Sequence, residues 1–159
     1  LGNYSLAIQF LIILLLFPTI VFKYLLPMDS SGKNTKNLKK ISILVSIALA
    51  AFGIVVLPII IPVLFPKFID TIIAIQIVSV AVIPATIGIF YESKLLALEK
   101  GKFPIIGKSI GIIIVVVGFL TLGPIYGMIG LAVTFVVSGL LETIFVIIAS
   151  KTINYKEKI

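Results

Sequence analysis

The chain contains five apolar runs, at residues 6–26, 41–65, 71–98, 104–122 and 128–150. A hydrocarbon core about 30 Å thick is crossed by about 20 helical residues, and each run reaches that length. Many of the apolar residues are Ile and Val, but strands rarely exceed about ten residues, so run length favours helices. The sequence therefore predicts an all-α integral membrane bundle of five transmembrane helices.

The composition agrees with a lipid environment. Hydrophobic residues make up 60% of the chain and charged residues 12%, which leaves too few polar residues for the shell of a soluble domain. His, Cys, Trp and Arg are absent. Disulfides, thiol nucleophiles, histidine bases and Cys/His metal sites are therefore excluded, and we expect neither an enzyme nor a cofactor.

The chain begins at Leu1 rather than Met, and its first apolar run starts almost at once. A basic n-region and a small-residue cleavage site are not visible, so a secretory signal is not indicated. We expect residues 1–150 to be a transmembrane portion of a longer polypeptide. The alternative is a natural start close to Leu1.

The lysines predict the orientation of the runs. With five crossings, 12 of the 13 lysines lie on one side and only Lys67 lies on the other. Positive residues stay cytoplasmic, so residue 1 is expected outside, and the tail at 151–159 is expected inside the cytoplasmic membrane. Membrane lipid accounts for the basic charge, and a nucleic-acid partner is not expected.

Proline and glycine fall inside the runs. Pro18, Pro58, Pro62 and Pro84 each remove a backbone donor, which in lipid marks either a static kink or a broken helix beside a cavity. A further set, Gly107, Gly111 and Gly118, shares one helix face and predicts close helix packing.

Ionisable residues inside the runs are the main candidates for a site, because each costs a few kcal/mol at the bilayer centre. Glu142 is the clearest, and Glu92, Lys94 and Lys108 fall at a similar predicted depth. They could line a polar cavity for a charged substrate or ion, or form an interhelical ion pair with snorkelling side chains. Uncharged polar residues could face the same interior: Gln9, Gln76, Ser79, Thr86 and Ser138.

Several short segments carry a family resemblance. GNYSLA at 2–7, LFPKF at 64–68 and LALEKGK at 96–102 are similar to recurring motifs of polysaccharide biosynthesis flippases, with Pro66 where Gly is usual. The segment GPIYGMIGLA at 123–132 resembles their P-x-Y-G-x-x-G signature, with Leu131 where a small residue is usual. The signature residues are Pro124, Tyr126, Gly127 and Gly130.

The resemblance is to the C-terminal region of these lipid-linked oligosaccharide exporters. It implies a two-lobe fold with a central cavity, of which this chain would supply most of the second lobe and a missing N-terminal lobe the rest. It further implies a lipid-linked oligosaccharide substrate, whose pyrophosphate would meet lysines here. Lys23 and Lys108 are the candidates, because the chain has no Arg.

Three functions follow as alternatives. The first is export of a lipid-linked oligosaccharide or polysaccharide precursor. The second is a cation-coupled multidrug antiporter of the same superfamily, in which Glu142 would carry the coupling ion. The third is a non-transporting membrane scaffold subunit.

Overall fold

A computed structural model describes residues 2–156, and the chain is helical over nearly all of them, with no strand in that range. Short turns of π-helix at Phe52–Val56 and 3-10 helix at Pro66–Thr71 join the second helix to the third and the third to the fourth. The all-α prediction is confirmed. Within residues 2–156 the six α-helices are α1 Gly2–Ser30, α2 Lys36–Ala51, α3 Leu57–Leu64, α4 Ile72–Val80, α5 Val82–Ala97 and α6 Lys102–Lys156.

Within the described residues, four helical segments are long and apolar enough to cross a membrane: Ile12–Ser30, Lys36–Leu64, Pro66–Ala97 and Lys102–Ile153. The sequence predicts five crossings, and the difference lies in the last segment. The predicted spans at 104–122 and 128–150 both fall within α6. Its 55 residues would extend about 80 Å as one straight helix, well beyond the thickness of a bilayer.

Gly127 breaks α6. Its backbone has φ 56° and ψ −133°, a conformation open to glycine and strained for other residues. Gly118 on the first arm faces Thr134 on the second, and Gly107 faces Val146. The two arms, 102–126 and 128–156, therefore lie side by side in opposite directions. The predicted turn at 123–127 is reduced to a single non-helical residue.

The glycine face of the first arm packs as its spacing predicts. A Cβ atom on Gly107 would lie 3.2 Å from the side chains of Phe145 and Val146, and one on Gly118 would overlap Thr134. Small residues let helix backbones approach closely where lipid gives no hydrophobic drive for association. These glycines hold the two arms of α6 together.

α5 lies at the centre of the bundle and contacts α1, α2 and α6. Its residues Phe90 and Leu95 are buried, whereas many apolar side chains of the outer helices face outward. Leu44, Val63 and Leu120 are each about two-thirds exposed or more. A soluble protein rarely exposes contiguous apolar surface on this scale, so the exterior suits hydrocarbon rather than water.

One end of the bundle carries most of the lysines. Asp29, near the end of α1, accepts hydrogen bonds from Thr35 (3.0 Å) and from Ser93 on α5 (2.7 Å), and its Oδ1 lies 3.5 Å from Lys39 Nζ. Leu95 packs with Ala149 and Ile153, which brings the end of α6 to the same place. The lysine-bearing segments at 33–40, 94–102 and 151 therefore share this end.

Candidate functional site

An ion pair joins α5 to the first arm of α6. Lys108 Nζ is bonded to Glu92 Oε1. The Glu92 side chain is 14% exposed, and that of Lys108 is 55% exposed. The sequence places both residues in one layer, and the structure brings their charged groups into contact. Lys94, which is closer to Glu92 in sequence, has no ion pair with a described residue.

Glu142 lies on the second arm of α6, opposite Gly111. A Cβ atom on Gly111 would come within 3.2 Å of Glu142 Oε2, so glycine makes room for the carboxylate there. Lys108 and Glu92 are both near enough to interact with it electrostatically. Among the residues that the structure describes, none donates a hydrogen bond to Glu142 or forms an ion pair with it. Lys108 is therefore bonded to the carboxylate of Glu92, and the carboxylate of Glu142 has no bonded partner among the described residues.

These three residues line one cavity of about 370 Å³, bounded by α1, by α5 with the preceding Ala81, and by both arms of α6. The hydroxyls of Thr19 and Thr143 add polarity. The remaining walls are mainly apolar, with Leu15, Phe22, Ile89, Phe135 and Val146 among them. We call this space the α5–α6 cavity. Two carboxylates and one ammonium give it a formal charge of −1 when all three are ionised.

The break at Pro84 lies along the cavity wall. The helix is interrupted at Ala81, between α4 and α5, because Pro84 has no N–H to donate to the carbonyl four residues earlier. Ala81, Ala85 and Gly88 line the cavity, and Thr143 donates a hydrogen bond to the Pro84 carbonyl at 2.9 Å. The sequence leaves a static kink and a cavity-lining break as alternatives, and the structure places this break at the cavity.

Pro58 and Pro62 lie elsewhere. α3 contains both, and the π-helical turn Phe52–Val56 precedes it. Gln76 on α4 donates to the Ile54 carbonyl, which residue 58 would bond in a regular helix. Neither proline lines the α5–α6 cavity.

Other candidates do not join the cavity. Lys23 is exposed on α1 and is absent from its lining, although its neighbour Phe22 contributes. Ser79 and Thr86 bond to carbonyls of their own helices, and Ser138 bonds to the Gly111 carbonyl at 2.9 Å. Only the Ser138 bond joins the two arms of α6, and none of the three residues lines the α5–α6 cavity.

The signature segment forms the bend of α6. Gly127 is the break itself, and Gly130 is buried so closely against Leu122 that a Cβ would overlap its carbonyl oxygen. Pro124 and Tyr126 lie just before the break, with Tyr126 exposed. These residues shape the turn, and none of them touches the α5–α6 cavity.

Two features of the structure, one at the site and one at the lysine-bearing end, have no clear signal in the sequence. Thr143 follows Glu142 directly, yet its bond to Pro84 depends on how two distant helices pack. The contacts that Asp29 makes with Thr35, Lys39 and Ser93 likewise span up to 64 positions. Among the described residues, no group of three or more Asp and Glu side chains is placed to hold a metal ion.

Comparison with protein-family models, with curated proteins and with solved structures found no match for this chain.

Proposed function

We propose that this chain forms part of a membrane transporter and that the α5–α6 cavity belongs to its translocation site. The observation that carries the proposal is a lysine and two glutamates lining one cavity among helices with apolar outer surfaces. Charged side chains at such depth are costly and commonly mark a substrate or ion path. The neighbouring break at Pro84 resembles the discontinuous helices that line transporter cavities.

The proposal includes five crossings. Each arm of α6 has about 25 residues or more, about 37 Å at 1.5 Å per residue, which is enough for one crossing. With Gly127 at the far surface, the lysine-bearing segments fall on one side. We place that side, and residues 151–159, in the cytoplasm, and the protein in the cytoplasmic membrane.

The leading substrate is a lipid-linked oligosaccharide or polysaccharide precursor. The resemblance of residues 123–132 to the flippase signature supports this class. Lys108, the one ammonium lining the α5–α6 cavity among the described residues, is the group that would meet the anionic phosphate of the carrier. A first lobe would close the cavity from the opposite side.

A flipping assay on the complete protein in liposomes tests this substrate. We expect Lys108→Gln to lower the flipping rate of a fluorescent lipid-linked oligosaccharide by tenfold or more. Lys36→Gln removes an equal charge from an exposed position outside the cavity and provides the control. Equal rates for Lys108→Gln and the unmodified protein would refute the role of Lys108, and normal surface polysaccharide in a deletion strain would refute the substrate class.

A cation-coupled antiporter is the second candidate, and the charge of the cavity favours it. Lys108 is bonded to Glu92, which leaves the Glu142 carboxylate to attract a cation. We expect Glu142→Gln to abolish the dependence of transport on the cation gradient. Glu99→Gln, at an exposed turn, is the matched control. Unchanged ion dependence in Glu142→Gln would exclude this assignment.

If the chain is a scaffold subunit, water should not reach the space around Lys108 and Glu142. The chain has no Cys, so single Cys substitutions give unambiguous labelling. A water-soluble maleimide should react at Lys108→Cys and Glu142→Cys and should spare Val82→Cys, a fully buried position. Protection at all three positions would favour the scaffold.

A further inference from the structure

A second groove lies at the lysine-bearing end of the bundle, between the start and the end of α6. It has a volume of about 550 Å³ and shares no lining residue with the α5–α6 cavity. The residues that define it are Lys100, Lys102, Phe103, Phe145, Ile148 and Ile153. We call it the α6 end groove.

The mouth of the α6 end groove is positively charged. Lys100 and Lys102 both line it, and no acidic residue among those described does. The first turn of α6 also lacks an acidic residue, so the positive end of the helix dipole is not neutralised there. Lys102 Nζ lies 5.3 Å from the centre of the Phe103 ring, which places this ammonium beside the aromatic wall.

The wall of the groove is apolar. Phe103 and Phe145 pack on the buried cluster that contains Leu95 and Val146, and Ile148 is 59% exposed. From Ile153 to Phe145 the wall follows the second arm of α6 for about 12 Å, towards the middle of the helix. A ligand that fits both parts has an anionic head and a hydrocarbon tail.

We propose that the α6 end groove binds an anionic phospholipid. Its phosphate lies between Lys100 and Lys102, and one acyl chain lies along Phe145 and Ile148. Free phosphate would use only the mouth, whereas a zwitterionic lipid would bring a choline group towards the two lysines. The site is distinct from the proposed translocation site and does not depend on it.

Lipid titration of the full chain in detergent, followed by native mass spectrometry, tests the proposal. Phosphatidylglycerol should bind at least tenfold more tightly than phosphatidylcholine of equal chain length. Each lysine near a membrane surface contributes about fivefold in affinity, so Lys100→Gln/Lys102→Gln should weaken phosphatidylglycerol binding about 25-fold. The control Lys33→Gln/Lys36→Gln makes the same charge change at the same end and should alter it less than twofold.

Three outcomes would overturn the site. They are equal losses of phosphatidylglycerol affinity in the two double variants, equal affinity for phosphatidylglycerol and phosphatidylcholine, and displacement of the lipid by millimolar inorganic phosphate. If the lysine variant does not fold, Ile148→Trp decides, since it fills the groove and keeps both lysines. A tenfold loss of phosphatidylglycerol affinity in Ile148→Trp supports the site, and an unchanged affinity contradicts it.

Discussion

Gln76 on α4 donates a hydrogen bond from Nε2 to the carbonyl oxygen of Ile54, 2.9 Å away. In a regular helix that carbonyl would accept the N–H of residue 58, and proline occupies position 58. An interhelical side chain therefore supplies the donor that the sequence removes. In lipid, where water cannot replace a missing donor, this contact stabilises the bent segment from Phe52 to Leu64.

We expect Gln76→Leu to lower the unfolding free energy by about 1 kcal/mol, the usual size of a hydrogen bond between membrane helices. The loss should shrink in a Pro58→Ala background, because that change restores a backbone N–H that can donate to the Ile54 carbonyl. Thermal unfolding of the four proteins of this cycle in detergent measures the coupling. Gln9→Leu, at an exposed position of α1, is the control. A loss of equal size in both backgrounds would contradict the pairing.

Gly118→Ala should loosen the two arms of α6. The added methyl would overlap Thr134, whose hydroxyl is held by a 2.8 Å bond to the Gly130 carbonyl, so we expect a loss of about 1–3 kcal/mol. Thr134→Ala in the same chain should restore only part of it, because the Cβ atom of residue 134 still lies 2.8 Å from the added methyl.

The matched control is Gly139→Ala, because a Cβ there meets no atom within 4 Å. It should leave stability unchanged or raise it by up to about 1 kcal/mol through helix propensity. Similar losses for Gly118→Ala and Gly139→Ala in chemical denaturation would show that arm packing does not depend on Gly118.

Asp29→Ala should separate the ends of α1, α2 and α5. The change removes the acceptor for Thr35 and Ser93 and the partner of Lys39, so we expect a cost of about 2 kcal/mol. Asp70→Ala removes an equal charge from an exposed position without a hydrogen bond or ion pair among the described residues, and should have little effect. Hydrogen exchange of residues 28–40 provides a local readout, and equal protection in both variants would count against the network.

Glu99→Gly should stabilise the chain. Glu99 has φ +57° just after α5, where the N–H of Lys100 bonds to the Leu95 carbonyl at 2.8 Å and that of Glu99 to the Leu96 carbonyl at 3.0 Å. This is a Schellman ending, in which glycine avoids a penalty of about 1 kcal/mol. Leu98 has an ordinary φ of −89°, so Leu98→Gly should lower the melting temperature instead. A lower melting temperature for Glu99→Gly would show that the Glu99 side chain contributes more than the strain costs.

Run length and residue type predict the helices well here. The apolar runs are far longer than a β-strand, so the α-helix is the regular structure that fits them in lipid. Pro84 predicts the break at Ala81 because its missing N–H affects only the preceding turn of the same helix. The face shared by Gly107, Gly111 and Gly118 is likewise a property of one helix, and the structure confirms its packing role.

Partners across helices are much harder to predict. Lys94 follows Glu92 by two positions on α5, and side chains at that spacing point to different faces of one helix. That Glu92 bonds to Lys108 on α6 depends instead on how α6 is rotated about its axis, which depth does not predict. In the same way, the rotation of α1 keeps Lys23 out of the α5–α6 cavity while Phe22 lines it. Side chains at neighbouring positions of one helix point in directions about 100° apart. The depth of a residue in the membrane, which the sequence predicts, does not say in which of these directions its side chain points.

The single-residue break at Gly127 has a consequence for biogenesis. In the proposed arrangement of five crossings, a single residue joins the two arms of α6 at the membrane surface. The two arms would then enter the membrane together as a hairpin, with Gly127 leading. A residue that strains this bend would therefore act before the protein is folded, as a defect of insertion and not only of stability.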